Sequence, residues 1–159
     1  EAAAVTGETA YVVGWLDGEI VVLASERGNA TITASVIPQG TAGDAHARAS
    51  GKLLLAMSAP AEVDKYMRRH EMRQLTPNTI VSRQDLERQF AAIRESHTAF
   101  DREEYSLGLS CMAVPIGTVP SQLVLGISAP TDRFQSRSEQ YAEALRTIAA
   151  KIMAHADDR

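Results

Sequence analysis

At 159 residues, with 45% hydrophobic and 23% charged side chains, the chain has the size and composition of one soluble globular domain. Its formal net charge of −4 excludes a domain that holds nucleic acid by an excess of Lys and Arg. The single cysteine, Cys111, cannot close an internal disulfide, and no apolar run reaches the roughly 18 residues that cross a bilayer, so the cytoplasm is the expected compartment.

The chain starts without Met in an Ala-rich piece with the character of a helix tail, which suggests part of a longer protein; its first residues lack the basic-then-apolar pattern of a signal peptide. Residues 9–15 and 19–25 are β-branched and aliphatic, and Asp17-Gly18 between them is a hairpin signal, because such turns need positive φ. A third strand is expected over 31–37, followed by a long loop over 38–44.

From residue 46 to 57 the pattern turns helical, with small residues first and Leu53-Leu-Leu55 after. Pro60 suits a first helical position, and Ser82-Arg-Gln-Asp85 reads as an N-cap that opens a helix with Leu86, Phe90 and Ile93 on one face. Strands are expected over 99–105, 109–115 and from Leu123, with 117–121 as the last turn. Ser136-Arg-Ser-Glu139 has the form of a capping box, and Tyr141, Leu145, Ile148 and Ile152 make a helical stripe running to the C-terminus. Three strands, three helices, three strands and a long helix make an α+β fold, an antiparallel sheet of about six strands flanked by helices.

Alternation on the last two strands divides the sheet into unlike faces. Leu123, Leu125 and Ile127 make one bulky side, while Cys111, Gly126 and Ser128 leave the other small enough for a cavity, which Gly126 should enlarge. Cys111 could be a nucleophile beside His46 and Asp101, a buried apolar residue, or a pocket wall. The same three residues are acceptable zinc ligands but share no short ligand spacing. Ala49, Ser50 and Gly51 open a helix almost free of bulk, which suits either close packing or an anion at the helix amides. The basic run Lys65–Arg73 reads as a solvated helix end.

The motifs Asp101-Arg-Glu-Glu-Tyr105, Leu107-Gly-Leu-Ser-Cys111 and Gly126-Ile-Ser-Ala-Pro130, with His46-Ala-Arg-Ala-Ser-Gly-Lys52 and Thr76-Pro-Asn-Thr79 upstream, resemble the effector-binding domain of IclR-type transcriptional regulators. The likeness covers the whole chain in order, as one domain over residues 1–159. It implies a GAF-like, profilin-like sheet that senses a small metabolite, without catalysis, cofactor or metal. It also implies a homodimer or homotetramer that reaches DNA only through an N-terminal winged helix-turn-helix, which this chain does not contain.

The resemblance assigns the effector pocket to Ile32, Ser35, Gly43, Ala49, Ser50, Asp101, Leu109, Cys111, Gly126 and Ser128. Serine hydroxyls and helix amides beside one carboxylate favour a small carboxylic acid carrying a hydroxyl, or a hydroxylated aromatic acid. Two other readings stay open: a cysteine- or metal-dependent hydrolase of small molecules, and a GAF-like oligomerisation module with a filled interior.

Overall fold

The computed structural model describes the backbone of residues 1–157 and the side chains of residues 1–154. A short helix α1 (Ala2–Thr6) leads into strands β1 (Thr9–Leu16) and β2 (Glu19–Glu26). A long connection, closed by a 3-10 turn at Ala45–Ala47, reaches helices α2 (Ala49–Met57), α3 (Pro60–Arg69) and α4 (Arg83–Ser96). Strands β3 (Ala99–Arg102), β4 (Leu109–Pro115) and β5 (Leu123–Pro130) follow, and α5 (Thr131–Asp157) completes the described chain. The expected run of this helix to the C-terminus meets residues 158 and 159, which lie outside the described residues. Among the described residues no helix is long and apolar enough to cross a membrane.

The five strands form one antiparallel sheet in the order β2-β1-β5-β4-β3. Asp17 and Gly18 both take positive φ, 50° and 79°, as the β1–β2 hairpin requires. Ser82 caps α4, accepting a hydrogen bond from the Asp85 amide at 3.1 Å. Leu86, Phe90 and Ile93 then bury one face of α4 with Leu53 and Leu54 of α2 against Val13, Ala113 and Val124 of the sheet. On the opposite face Phe134, Tyr141, Leu145 and Ile148 of α5 cover Met112, Val114, Leu125 and Ile127. Strands β1, β4 and β5 therefore send alternate residues to two separate cores.

Three expectations need correction. The sheet has five strands rather than six, because residues 31–37 form no ladder. Residues 27–44 run instead as a strap: Gly28 turns so tightly over Gly7 that a Cβ there would sit 2.1 Å from the Gly7 carbonyl oxygen. The strap is pinned by side chains and backbone together: the Thr9 hydroxyl donates to the Ala34 carbonyl, the Ser25 hydroxyl accepts from the Ile37 amide, and the Val22 amide donates to the Thr41 carbonyl. Helix α5 starts at Thr131, directly after β5, so the Ser136 box does not cap it; the Ser136 hydroxyl donates back to the Arg133 carbonyl, 3.0 Å away. Ile152, the last residue of the stripe, is 40% exposed, on the wall of an open cleft it shares with Ala10 and Val12 of β1.

Candidate functional site

A cavity of about 260 Å³ lies between the strap, the start of α2 and the small-residue face of the sheet. Register builds its floor. Cys111 on β4 stands opposite Ser128 on β5 and Asp101 on β3, so three short polar side chains form a row across three strands. The Cys111 sulfur lies 3.0 Å from the Ser128 hydroxyl. Tyr11 of β1 continues the floor, Ala49 and Ser50 enter from the first turn of α2, and Ala34, Ser35 and Val36 of the strap close the top. No side-chain oxygen caps α2, and Ala49 and Ser50 of its first turn line the cavity.

Asp101 is 2% exposed, and its Oδ1 accepts from the Glu104 amide at 2.7 Å and the Tyr105 amide at 3.2 Å. Burial raises its pKa to about 6, against the pull of those two amides and of Lys52, while the Glu104 carboxylate adds to the rise. A buried ion pair fixes the turn that supplies the amides. Lys52 Nζ, fully buried, donates to both Glu104 carboxylate oxygens at 2.7 and 2.9 Å and to Gln89 Oε1 at 2.7 Å. Its own pKa is lowered, mainly by burial, with Glu104 acting the other way. The Thr76 and Thr79 hydroxyls donate to the Glu103 and Glu104 carbonyls at 2.7 and 2.6 Å. The Thr76-Pro-Asn-Thr79 motif thus clamps the loop that orients Asp101.

Burial pushes the Cys111 thiol up to about 12, and Asp101 nearby reinforces the effect. Such a thiol is protonated at neutral pH and is a poor nucleophile. His46 is no part of this cluster: its Nε2 lies 2.8 Å from the Arg73 carbonyl oxygen, away from the cavity lining. Among the described residues no three His, Cys, Asp or Glu side chains stand together as metal ligands.

Seven of the ten expected residues line this one cavity: Ser35, Ala49, Ser50, Asp101, Leu109, Cys111 and Ser128. Three do not. Ile32 is 69% exposed and does not line the cavity, whereas Ala34, Ser35, Val36 and Ile37 further along the strap do. Gly43 lies at the far end of the strap, and its carbonyl accepts from Arg48 Nε at 3.2 Å. Gly126 does not enlarge the cavity, because a Cβ there would lie 2.3 Å from the Tyr11 ring. The small helix start also divides by residue: Gly51 permits close packing on Ala45, at 2.5 Å from a would-be Cβ, while Ala49 and Ser50 face the cavity.

Tyr11, Arg48 and Tyr105 line the cavity as well, though nothing in their local pattern singled them out. For Tyr11 the signal was present in the pairing, since a large residue opposite a glycine on the next strand fills the space that the glycine leaves.

The family model for the bacterial transcriptional regulator IclR C-terminal domain matches residues 2–154. The chain is 31% identical over 151 residues to the HTH-type transcriptional regulator BhcR of Paracoccus denitrificans, covering 91% of this chain and 54% of that protein. It is 31% identical over 155 residues to KdgR of Dickeya chrysanthemi, covering 96% and 50%. Among solved structures, the Thermotoga maritima IclR superposes with a TM-score of 0.81 at 31% identity, over 92% of this chain and 60% of that one. The C-terminal domain of Escherichia coli KdgR gives 0.78 at 31% identity, over 94% and 87%.

The chain belongs to the IclR family of bacterial transcriptional regulators, and its fold is that of their C-terminal effector-binding domain. It spans about half the length of these two curated relatives.

Proposed function

We propose that this domain senses a small organic acid, a hydroxylated aliphatic or aromatic carboxylate, and that occupancy of the cavity changes operator binding by the whole regulator. The observation that carries this reading is the polar lining of the cavity: the Ser50 hydroxyl in the first turn of α2, which no side chain caps, and the Asp101 carboxylate on β3. The helix end favours an anionic oxygen. Asp101 favours a hydroxyl donor and disfavours a second carboxylate. At about 260 Å³ the space falls below the roughly 300–1,000 Å³ of drug-sized sites, so the ligand is small.

The relatives are named as HTH-type regulators, which supports DNA contact through a helix-turn-helix segment outside these residues; a cytoplasmic homodimer or homotetramer belongs to the same proposal. An effector alters operator affinity only by binding two arrangements of that assembly unequally. A hydrolase reading has less support, since the Cys111 thiol is held protonated and His46 lies elsewhere. Calorimetry against a panel of hydroxy acids tests the proposal. Binding by at least one acid, lost in Asp101→Ala, is expected; indifference to the whole panel would overturn it. Light scattering on the same samples reads the oligomer.

A further inference from the structure

The cavity carries one cation that this reading has not used. Arg48 occupies the N-cap of α2 with extended backbone, φ −108° and ψ 139°, and its side chain forms part of the cavity wall. Two contacts hold it. Nε donates to the Gly43 carbonyl at 3.2 Å, and the guanidinium carbon sits 4.1 Å from the centroid of the Tyr105 ring. Arg48 is the one basic residue and Asp101 the one acidic residue lining the cavity among the described residues. Among the described residues Arg48 has no carboxylate within 4.0 Å, a trait it shares with Arg27, Arg68, Arg94, Arg102, Arg137 and Arg146, but it alone of these lines the cavity.

We propose that Arg48 is the anchor for the carboxylate of the ligand and the residue that makes the site select acids over their neutral analogues. The inference rests on the proposed function and adds the group that supplies the selectivity. With Nε committed to Gly43, the two terminal nitrogens remain as a planar pair of donors, the geometry that matches a carboxylate edge. Stacking on Tyr105 holds the fork in place before the ligand arrives, so little side-chain freedom is lost on binding. The first amides of α2 follow Arg48 directly in the chain, so cation and helix end address the same pole of the ligand. Asp101 lies outside ion-pair distance and stays available for a hydroxyl.

The competing role is a strut: Arg48 would merely join the end of the strap to the Tyr105 loop. Acids paired with their own amides separate the two. The probes are glycolate with glycolamide, mandelate with mandelamide, and 4-hydroxybenzoate with 4-hydroxybenzamide, titrated into the wild-type domain and Arg48→Gln. The anchor predicts that whichever acid binds the wild type loses about tenfold or more in Arg48→Gln, while any affinity for its amide is unchanged. An unchanged acid affinity overturns the anchor and leaves the pocket reading standing. Equal losses for acid and amide make Arg48 a strut and also overturn it. If no acid binds the wild type, the proposed function fails, and the anchor with it. Should Arg48→Gln not fold, the nitrogen spectrum of the wild-type arginine side chains decides: the Arg48 Nε–H signal, assigned through Arg48→Lys, must shift with acid and not with amide, and an unmoved signal overturns the anchor.

Discussion

Gly126 on β5 stands directly opposite Tyr11 on β1, and a methyl group at position 126 would lie 2.3 Å from the edge of the Tyr11 ring. The glycine thus shapes the cavity indirectly, by letting a 4%-exposed tyrosine lie flat along its floor. The Tyr11 hydroxyl donates to the Ile127 carbonyl at 3.3 Å, which limits how far the ring can yield.

Gly126→Ala should therefore destabilise the domain by about 1–3 kcal/mol, the usual cost of overpacking. It should also weaken ligand binding by pushing the Tyr11 ring toward the cavity. Thermal melts read the first effect and calorimetry the second. The double variant Gly126→Ala with Tyr11→Leu should recover part of the stability; if it melts lower than either single variant by their summed loss, the two side chains are not in conflict.

The Lys52–Glu104 pair makes a second prediction. Removing one partner of a buried pair strands the other charge, so Lys52→Ala should cost about 3–5 kcal/mol in denaturant unfolding. Lys52→Met should cost less at low pH than at high, because acid neutralises the Glu104 carboxylate that is left without its counter-charge. Glu104 also accepts from the Arg102 amide at 2.9 Å, so the change should loosen the turn that holds Asp101 and reduce affinity for an acid as well. A melt within 0.5 kcal/mol of wild type for Lys52→Ala would show that the pair is not buried in solution.

Asp101 gives the pH dependence. Its folded pKa, about 6, stands above the ordinary 3.8, so the folded chain binds this proton more tightly than the unfolded chain. The stability so gained is complete below about pH 4 and is lost as pH rises through about 6. Asp101→Asn should remove that slope. A ligand hydroxyl donating to Asp101 favours its ionised form, so binding releases the proton and weakens as pH falls through about 6 while the ligand stays ionised. Calorimetry in buffers of different ionisation heat counts the proton. Affinity that is flat from about pH 5 to 8 would mean that no ligand hydroxyl donates to Asp101.

Cys111 should react slowly with thiol reagents. Its pKa, pushed to about 12 by burial, leaves little thiolate at pH 7.5. Iodoacetamide should modify it far more slowly than it modifies glutathione, and more slowly again with ligand bound. Labelling at the rate of free glutathione would revive the nucleophile reading.

The parts of the fold legible in the sequence were those set by local chemistry. Asp17-Gly18 dictates a positive-φ turn and Ser82 a cap, and the spacing of Leu86, Phe90 and Ile93 is helical wherever it occurs. Residues 31–37 misled because Thr, Ile and Val alternate there as in a strand, yet what holds the segment is Thr9, Ser25 and Arg133 reaching in from elsewhere. Ser136 misled for a related reason: strand β5 passes straight into α5 at Thr131, whose amide donates to the Gly108 carbonyl at 2.9 Å, and no cap is needed five residues later. In the candidate site, Cys111 and Ser128 were readable from alternation, and Asp101 through the family resemblance. Tyr11 and Arg48 were not, because each reaches the cavity through a contact distant in sequence, with Gly126 and Tyr105.

The central claim is that a small organic acid occupies the cavity between α2 and the sheet. A crystal structure of the domain grown with whichever panel acid binds most tightly tests it directly. The account predicts density with the carboxylate at Ser50 and the first turn of α2 and a hydroxyl within hydrogen-bond distance of Asp101. Density for the acid at another surface, with this cavity filled by protein side chains, would contradict it.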